Sequence, residues 1–342
     1  MTDSMPAAVF AGRGRLEIAD RPTPRIARPQ DVLIDVRTSG ICGTDLHILS
    51  DPPRHPAAVG VVLGHEFFGV VREIGEDVTG VKPGDRVVVA PNIQCGQCAW
   101  CKRGLRNHCT NWTTHGIHVD GGLAPHVVVP ASACFRIAPH VPDHIAVLAE
   151  PLSTVVNGTQ HAAVSPGEAA AVLGAGPAGL MYIALLRLGG ASVIVVEPNP
   201  QRAEMALRIG ADQVVDPRRE DAAVAIRDAT AGVGVDVVID AVGSEFGLAL
   251  KAVRPAGRIV LFGINDRART EVAQETIVRN ELTVVGAFVG QDVMPSAIRL
   301  LEQGRLDLEP LVTHRIPLAD LPAAIDELRG GRAVKVEVEF GA

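Results

Sequence analysis

The run AAAVLGAGPAG, residues 169–179, says most about how this chain folds. Ala169 to Leu173 are small or branched apolar residues with the length and composition of a buried strand. Gly174, Gly176 and Gly179 then follow the pattern G-x-G-x-x-G, and Pro177-Ala178 open a helix-forming run to Leu188. In such a turn the first glycine permits the tight bend and the second lets a pyrophosphate approach the backbone. The third lets helix and strand pack closely. The free N–H groups and positive dipole end of the helix then face the phosphates. A glycine pattern alone carries little weight. Here it lies between strand and helix, and an acidic residue, Glu197, ends the next strand about twenty residues on, which completes a dinucleotide-binding fingerprint.

Outward from this run the same rhythm continues. Ser192–Glu197, Asp212–Val215, Asp236–Asp240, Arg258–Phe262 and Leu282–Gly286 read as short apolar strands. Helix-length segments separate most of them, including Ala178–Leu188, Gln201–Ile209 and Phe246–Val253. Strand alternating with helix predicts a parallel sheet covered on both faces, and six such strands suit a doubly wound α/β (Rossmann) fold. The carboxylate of Glu197 can accept hydrogen bonds from a ribose hydroxyl but would repel a 2′-phosphate, which favours NAD over NADP. Arg202 works the other way, since a guanidinium could help hold a phosphate.

The first third reads differently. Asp31–Arg37 alternates apolar and polar residues, Arg86–Ala90 and Ala124–Val129 are strand-like, and turns such as Lys82-Pro83-Gly84-Asp85 punctuate them. An antiparallel β domain is expected over 1–153 and a nucleotide domain over 154–288. The segment 289–342, with helices Val293–Gln303 and Leu321–Arg329 and a last strand Val334–Phe340, is expected to return to the first domain.

The 342 residues are 47% hydrophobic and 21% charged, the profile of an ordinary globular protein, and the net charge of −7 offers no basic footprint for nucleic acid. No apolar run approaches the ~18 residues that would span a bilayer. The N-terminal MTDSMPAAVFAGRG has no export signal, so a cytoplasmic setting is expected. Four of the six cysteines, Cys95, Cys98, Cys101 and Cys109, crowd into the pattern C-x2-C-x2-C-x7-C within a lobe of about residues 91–112. In that setting metal is favoured over disulfides, and four thiolates around one tetrahedral zinc make a structural site. Cys134 is left over as a core residue.

Elsewhere lies LGHEFFGVVREIGEDV, residues 63–78, with His65 and Glu66 adjacent and Gly64, Gly69 and Gly75 around them. Cys42 in GICGTDLH and Glu150 in AEPLST supply a thiolate and a second carboxylate. Each has a plain structural reading: a lone cysteine is usually a small buried hydrophobe, and Glu150 before Pro151 suits a helix start. Together they suggest one catalytic zinc with an open position.

With these three sets in hand, the chain resembles the zinc-dependent medium-chain dehydrogenase/reductase family along its whole length. GHEFFGVVREIGEDV is similar to the family's zinc signature, the cysteine lobe has its spacing, and GAGPAG sits where its cofactor domain begins. ICGTDLH and AEPLS are most similar to the polyol branch, which has a glutamate at the position of Glu150. The resemblance implies a discontinuous GroES-like catalytic domain, two zinc ions per chain, and a homo-oligomer, dimer or tetramer. It implies Cys42 and His65 as zinc ligands, with Glu66 and Glu150 sharing the remaining coordination. Asp45 would orient His65, Thr44 would lie beside the substrate hydroxyl, and His47 would pass its proton to solvent. The implied reaction takes a hydride from a secondary alcohol (a polyol, sugar alcohol or cyclitol) to NAD in a dry cleft between domains and leaves a ketone. An amino-alcohol substrate, a zinc-free reductase and a non-catalytic nucleotide-binding protein are the alternatives. His115 and His118 could line the cleft. One departure from the family, Pro125-His126 after Ala124, touches either the pocket or only the surface.

Overall fold

The computed structural model describes residues 4–341. It divides into two compact units. One comprises Met1–Pro151, Met294–Gln303 and Val312–Ala342; the other comprises Leu152–Val293 and Gly304–Leu311.

In the second unit six strands form one parallel sheet. Their order is Gln213–Val215, Ser192–Val196, Ala169–Leu173, Val235–Asp240, Val253–Leu261 and Thr283–Gly286. The order reverses beside Ala169–Leu173, so the carboxyl end of that strand opens onto the crevice where doubly wound sheets bind ligands. Strands buried on both faces need apolar residues at every position, which is why Val172, Leu173, Val195, Val238, Ile239 and Ile259 run without polar alternation. Helices cover them because their starts are well capped. Asn199 accepts from the Gln201 and Arg202 amides ahead of Pro200–Ile209, and Asp221 caps Ala222–Ala229, a helix the sequence reading passed over. The strand Val253–Leu261 starts earlier than the Arg258 expected, running through Pro255 and Gly257.

The first unit is built on a seven-stranded sheet. Its main path runs Val312–Ile316, Lys335–Glu339, Asp31–Gly40, Glu66–Ile74, Arg86–Val89 and Cys134–Arg136, and His126–Pro130 also pairs with Asp31–Gly40. All pairings are antiparallel except that of Val312–Ile316 with Lys335–Glu339. One face packs Ile34, Val36, Phe67, Val71 and Val87 together; another cluster gathers Phe10, Ile41, Ile48, Leu63, Leu123, Leu321 and Val338. Each such side chain contributes about 1.5–3 kcal/mol when fully buried. The long central strand Asp31–Gly40 is therefore clamped from both sides. It sets the register Gly40↔Glu66 and Gly40↔Glu337 and carries three distant parts of the chain to one place. The return begins at Met294 rather than 289, and Gly304–Leu311 packs with the nucleotide unit.

His126, the departure noted above, lies on this sheet. Its Nδ1 is 2.9 Å from Asp35 Oδ1, which also accepts from Arg72 at 3.2 Å, so the change is absorbed by a cross-strand polar cluster.

Candidate active site

At the end of strand Asp31–Gly40 the chain turns into a short helix, Gly43–Ile48, with Cys42 as its N-cap. The Cys42 amide donates to Asp45 Oδ2 at 2.9 Å, one half of a capping box that fixes the turn at the helix start. Across the sheet Gly64 takes φ +89°, and a Cβ there would stand 2.7 Å from Leu123 Cγ and 2.8 Å from Ser39 Oγ. Only glycine fits, and the bend delivers His65 and Glu66 to the same spot. The ligand atoms of Cys42, His65 and Glu66 all lie within 4.8 Å of one another. Residues far apart in sequence are thus gathered by strand register.

This cluster suits a divalent cation. It offers a thiol, an imidazole and a carboxylate, the donor types zinc takes. His65 Nδ1 and Asp45 Oδ1 are buried, face each other at 3.7 Å and have no hydrogen-bond partner. That is an ion-pair separation rather than a hydrogen bond, and it sets the Asp45 carboxylate beside the His65 ring. Burial opposes a positive charge on His65, but the charges of Asp45, Cys42 and Glu150 outweigh it and push its pKa well up. A place that attracts a proton this strongly attracts a metal cation for the same reason. Burial also raises Asp45, against the pull of His65.

Glu150 sits in the first turn of the helix Ala149–Ala162 and is buried. It lies outside the 4.8 Å set, although its charge acts on His65. Desolvation pushes it up to about 7, with His65 pulling the other way. Thr44 Oγ1 is 3.7 Å from Cys42 Sγ, and His47 follows three residues later on the same helix face.

Two residues of the site escaped the sequence reading. Lys335 is buried, bonds Glu66 Oε2 through its Nζ, and donates a second hydrogen bond to the Ile41 carbonyl at 3.1 Å. Beside it Glu337 is buried with neither carboxylate oxygen bonded, and desolvation raises it to about 8. Glu337 therefore keeps its proton at neutral pH, and the Lys335 charge is left to Glu66. Burial works against the Lys335 charge, but Glu66 and Cys42 overcome it.

The cysteine lobe forms a separate set in which Cys95, Cys98, Cys101 and Cys109 sulfurs are all within 4.8 Å. Cys95 and Cys109 sulfurs are 3.5 Å apart, close to the ~3.8 Å expected around a tetrahedral zinc with Zn–S bonds of about 2.3 Å. All six cysteines are free thiols. Backbone amides of Cys95, Cys98, Cys101 and Asn111 donate to these sulfurs at 3.3–3.5 Å, and the Cys101 amide helps bring Cys98 down to about 5. Burial instead holds Cys101 up at about 12, a proton that a metal would displace.

In the nucleotide unit Gly176 is the N-cap and Pro177 the first residue of the helix Pro177–Leu188, with Ala178 next. A Cβ on Gly179 would collide with the carbonyl oxygen of Gly174, so the close crossing needs glycine there. Glu197 is buried; one oxygen accepts from the Ala175 amide and the other from the Asn199 amide, each at 2.7 Å. The carboxylate is thereby locked at the rim of the glycine turn. Arg202 follows Asn199 on the next helix, with its Nε buried and unbonded. The sequence reading also missed Arg218, which bonds the Pro198 carbonyl and clasps Asp216 at 2.8 and 2.9 Å. Those contacts hold Asp216 at about 2.

Among the described residues no helix is long and apolar enough to cross a membrane. Residues 28–139 match the alcohol dehydrogenase GroES-like domain, and residues 177–303 match the zinc-binding dehydrogenase domain. The chain is 37% identical over 324 residues to L-threonine 3-dehydrogenase of Pyrococcus horikoshii, covering 90% of each. It is 33% identical over 348 residues to D-xylulose reductase A of Aspergillus niger, covering 96% of this chain and 94% of that one. A zinc-binding dehydrogenase from Sinorhizobium meliloti, solved with NADP bound, superposes with a TM-score of 0.94 at 32% identity over 98% of this chain and 99% of that one. A thiol–imidazole–carboxylate cluster, a four-cysteine lobe and a doubly wound nucleotide fold thus occur in one chain with these likenesses, and the chain belongs to the zinc-dependent medium-chain alcohol dehydrogenases, in their polyol branch, as an oxidoreductase.

Proposed function

We propose that this enzyme oxidises a secondary carbinol of a polyol, sugar alcohol or cyclitol to a ketone, with NAD as hydride acceptor and two zinc ions per chain. The observation that carries this reading is the convergence of Cys42, His65 and Glu66 within 4.8 Å beside the orphaned His65–Asp45 pair. Cys42 and His65 would hold the catalytic ion, with Glu66 and Glu150 as alternating or water-linked partners; the cysteine lobe would hold the structural one. When bound, zinc supplies the Lewis acidity that makes a hydroxyl acidic near neutral pH, and the nicotinamide accepts the hydride.

The chain's own residues do the rest. Asp45 orients the His65 ring from behind. Thr44 is close enough to Cys42 to receive the proton of a hydroxyl held there, and His47, one turn on, passes it outward. The two glutamates differ in kind. Glu66 is bonded by Lys335, whereas desolvation raises Glu150 to about 7, near the pH at which it can gain or lose a proton.

Glu197 supports NAD over NADP, since a 2′-phosphate would meet its buried carboxylate. Arg218 does not reverse this, because its guanidinium is already engaged by Asp216. Gly174, Gly176, Pro177, Ala178 and Gly179 would cradle the pyrophosphate, with Arg202 beside the adenosine ribose. The two units would serve as catalytic and nucleotide domains. The family likeness favours a homo-oligomer, dimer or tetramer, in the cytoplasm. An amino alcohol is the second reading, favoured by the likeness to threonine dehydrogenase. A panel of polyols, cyclitols, amino alcohols and primary alcohols, each assayed with NAD and NADP, tests both. Activity confined to primary alcohols would overturn them.

A further inference from the structure

The segment that leaves the last strand of the nucleotide sheet is held in a backbone conformation it would not choose alone. Thr283–Gly286 ends at the carboxyl edge of the sheet, the edge at which doubly wound folds bind their ligands. The Ala287 amide donates to the Leu261 carbonyl at 2.9 Å and carries the pairing one residue further. Two residues on, Val289 takes φ +46°. A β-branched residue in the left-handed region is a true outlier, and such strain persists only where the surroundings impose it.

The surroundings here are one face of the helix Ala149–Ala162. Asn157 is 4% exposed, and its Nδ2 donates to the Val289 carbonyl at 2.7 Å. A carbonyl can only accept, so the amide nitrogen of Asn157 is the atom that must face it. One turn earlier on the helix Ser153 is equally buried, and a Cβ on Gly290 would stand 2.8 Å from its Oγ. Residues 287–290 thus lie as a strap along the row formed by Ser153 and Asn157. Gly290 permits the close approach, and the Asn157 side chain fixes the strained peptide.

Strand order says which part of a dinucleotide meets the strap. Ser192–Val196, which leads into Glu197, lies on one side of Ala169–Leu173 and its glycine turn, whereas Thr283–Gly286 is the third strand on the other side. With the adenosine ribose at Glu197 and the pyrophosphate at the glycine turn, the nicotinamide half runs toward the strap. We propose that Asn157 is a positioning residue for the nicotinamide half of the cofactor: by tying down the Val289 peptide it holds residues 287–290 in the conformation that seats the ring. The inference rests on the dinucleotide-dependent dehydrogenase reading and adds to it a residue that acts through the strap.

The test titrates the zinc-loaded enzyme calorimetrically with NADH and with ADP-ribose, which keeps the adenosine and pyrophosphate but lacks the nicotinamide. Asn157→Ala removes the tie, and Asn157→Asp, of the same shape, sets a carboxylate oxygen against the Val289 carbonyl. Each should weaken NADH binding about tenfold, the factor one buried hydrogen bond supplies, and leave ADP-ribose within about twofold of wild type. Asn157→Ala combined with Val289→Gly should regain most of the loss, because glycine takes a positive φ without the tie. Gly290→Val forces the strap off Ser153 and leaves the helix sequence intact. It should reproduce the NADH-selective loss, and it carries the test if the Asn157 variants do not fold. Equal losses on both ligands, the mark of a merely structural role, would overturn the proposal. So would unchanged NADH binding, or a double variant no better than Asn157→Ala. If wild-type enzyme binds neither ligand, the dinucleotide reading itself fails and the role of Asn157 falls with it.

Discussion

Replacing Lys335 with methionine deletes one charge from the site while keeping the length and apolar volume of the side chain. In the native protein both Lys335 and Glu66 are only 1% exposed, so neither charge is solvated by water. The ammonium bonds the Glu66 carboxylate and the Ile41 carbonyl, and no charge of Glu337 competes for it while that carboxyl is protonated. Without Lys335 a desolvated carboxylate is left opposite an apolar group. Removing one partner of a buried pair costs about 3–5 kcal/mol. For a unit of this size that corresponds to a fall in Tm of about 2–4 °C per kcal/mol. Urea unfolding of the metal-free protein at pH 7 is the assay. Glu66→Gln combined with Lys335→Met should return to within about 1–2 kcal/mol of wild type, because the orphan charge is gone. Zinc-loaded Lys335→Met should lose less than the metal-free form, since the ion takes over the neutralisation of Glu66. A metal-free Lys335→Met variant less than about 1 kcal/mol below wild type would refute the reasoning, as it would mean the pair is hydrated.

Glu337 has a folded-state pKa of about 8 against an ordinary 4.5, so the native state binds the extra proton between those values. Stability should therefore fall as pH rises through that window, and Glu337→Gln should flatten the dependence by a few kcal/mol, read from Tm at pH 5 and pH 8.5. Glu197→Ser should tighten NADP binding about tenfold or more in calorimetry by removing a like charge, and unchanged selectivity would void the NAD assignment. Cys98→Ser should lose one zinc per chain and expose the lobe near residues 91–112 to protease. It should also lower stability by about 4 kcal/mol where free zinc exceeds its Kd a thousandfold.

What the sequence disclosed follows how far apart the cooperating residues lie. The nucleotide turn is local: strand, three glycines and helix occupy residues 169–188, so each feature supports the next. The four cysteines are likewise close in sequence, and their sulfurs meet without help from the rest of the fold. Cys42 could be joined to His65 and Glu66 only by their donor chemistry and by resemblance, since strand register, not sequence spacing, brings them together. Lys335 and Glu337 were not legible at all. In Lys335–Glu339 the polar residues alternate with valines, a pattern that normally places them in solvent. Here Lys335, Val336, Glu337 and Val338 are all buried, because both faces of the strand are covered: the valines pack in one cluster with Leu321, Ala324 and Ile325, and Lys335, on the opposite face, meets Glu66 and the Ile41 carbonyl. The six-residue helix Gly43–Ile48 is too short for apolar periodicity to reveal, although it sets Thr44, Asp45 and His47 relative to Cys42. His126 shows the converse: an unusual residue in a telling place that proved to belong to sheet pairing.

One ion shared by Cys42 and His65 underlies everything said of the chemistry, and metal content measured beside turnover tests it most directly. Wild-type protein should carry two zinc ions per chain, and Cys42→Ser should retain only the one in the cysteine lobe while alcohol oxidation is lost and NAD still binds. A Cys42→Ser protein that keeps both ions and oxidises alcohol at the wild-type rate would contradict it.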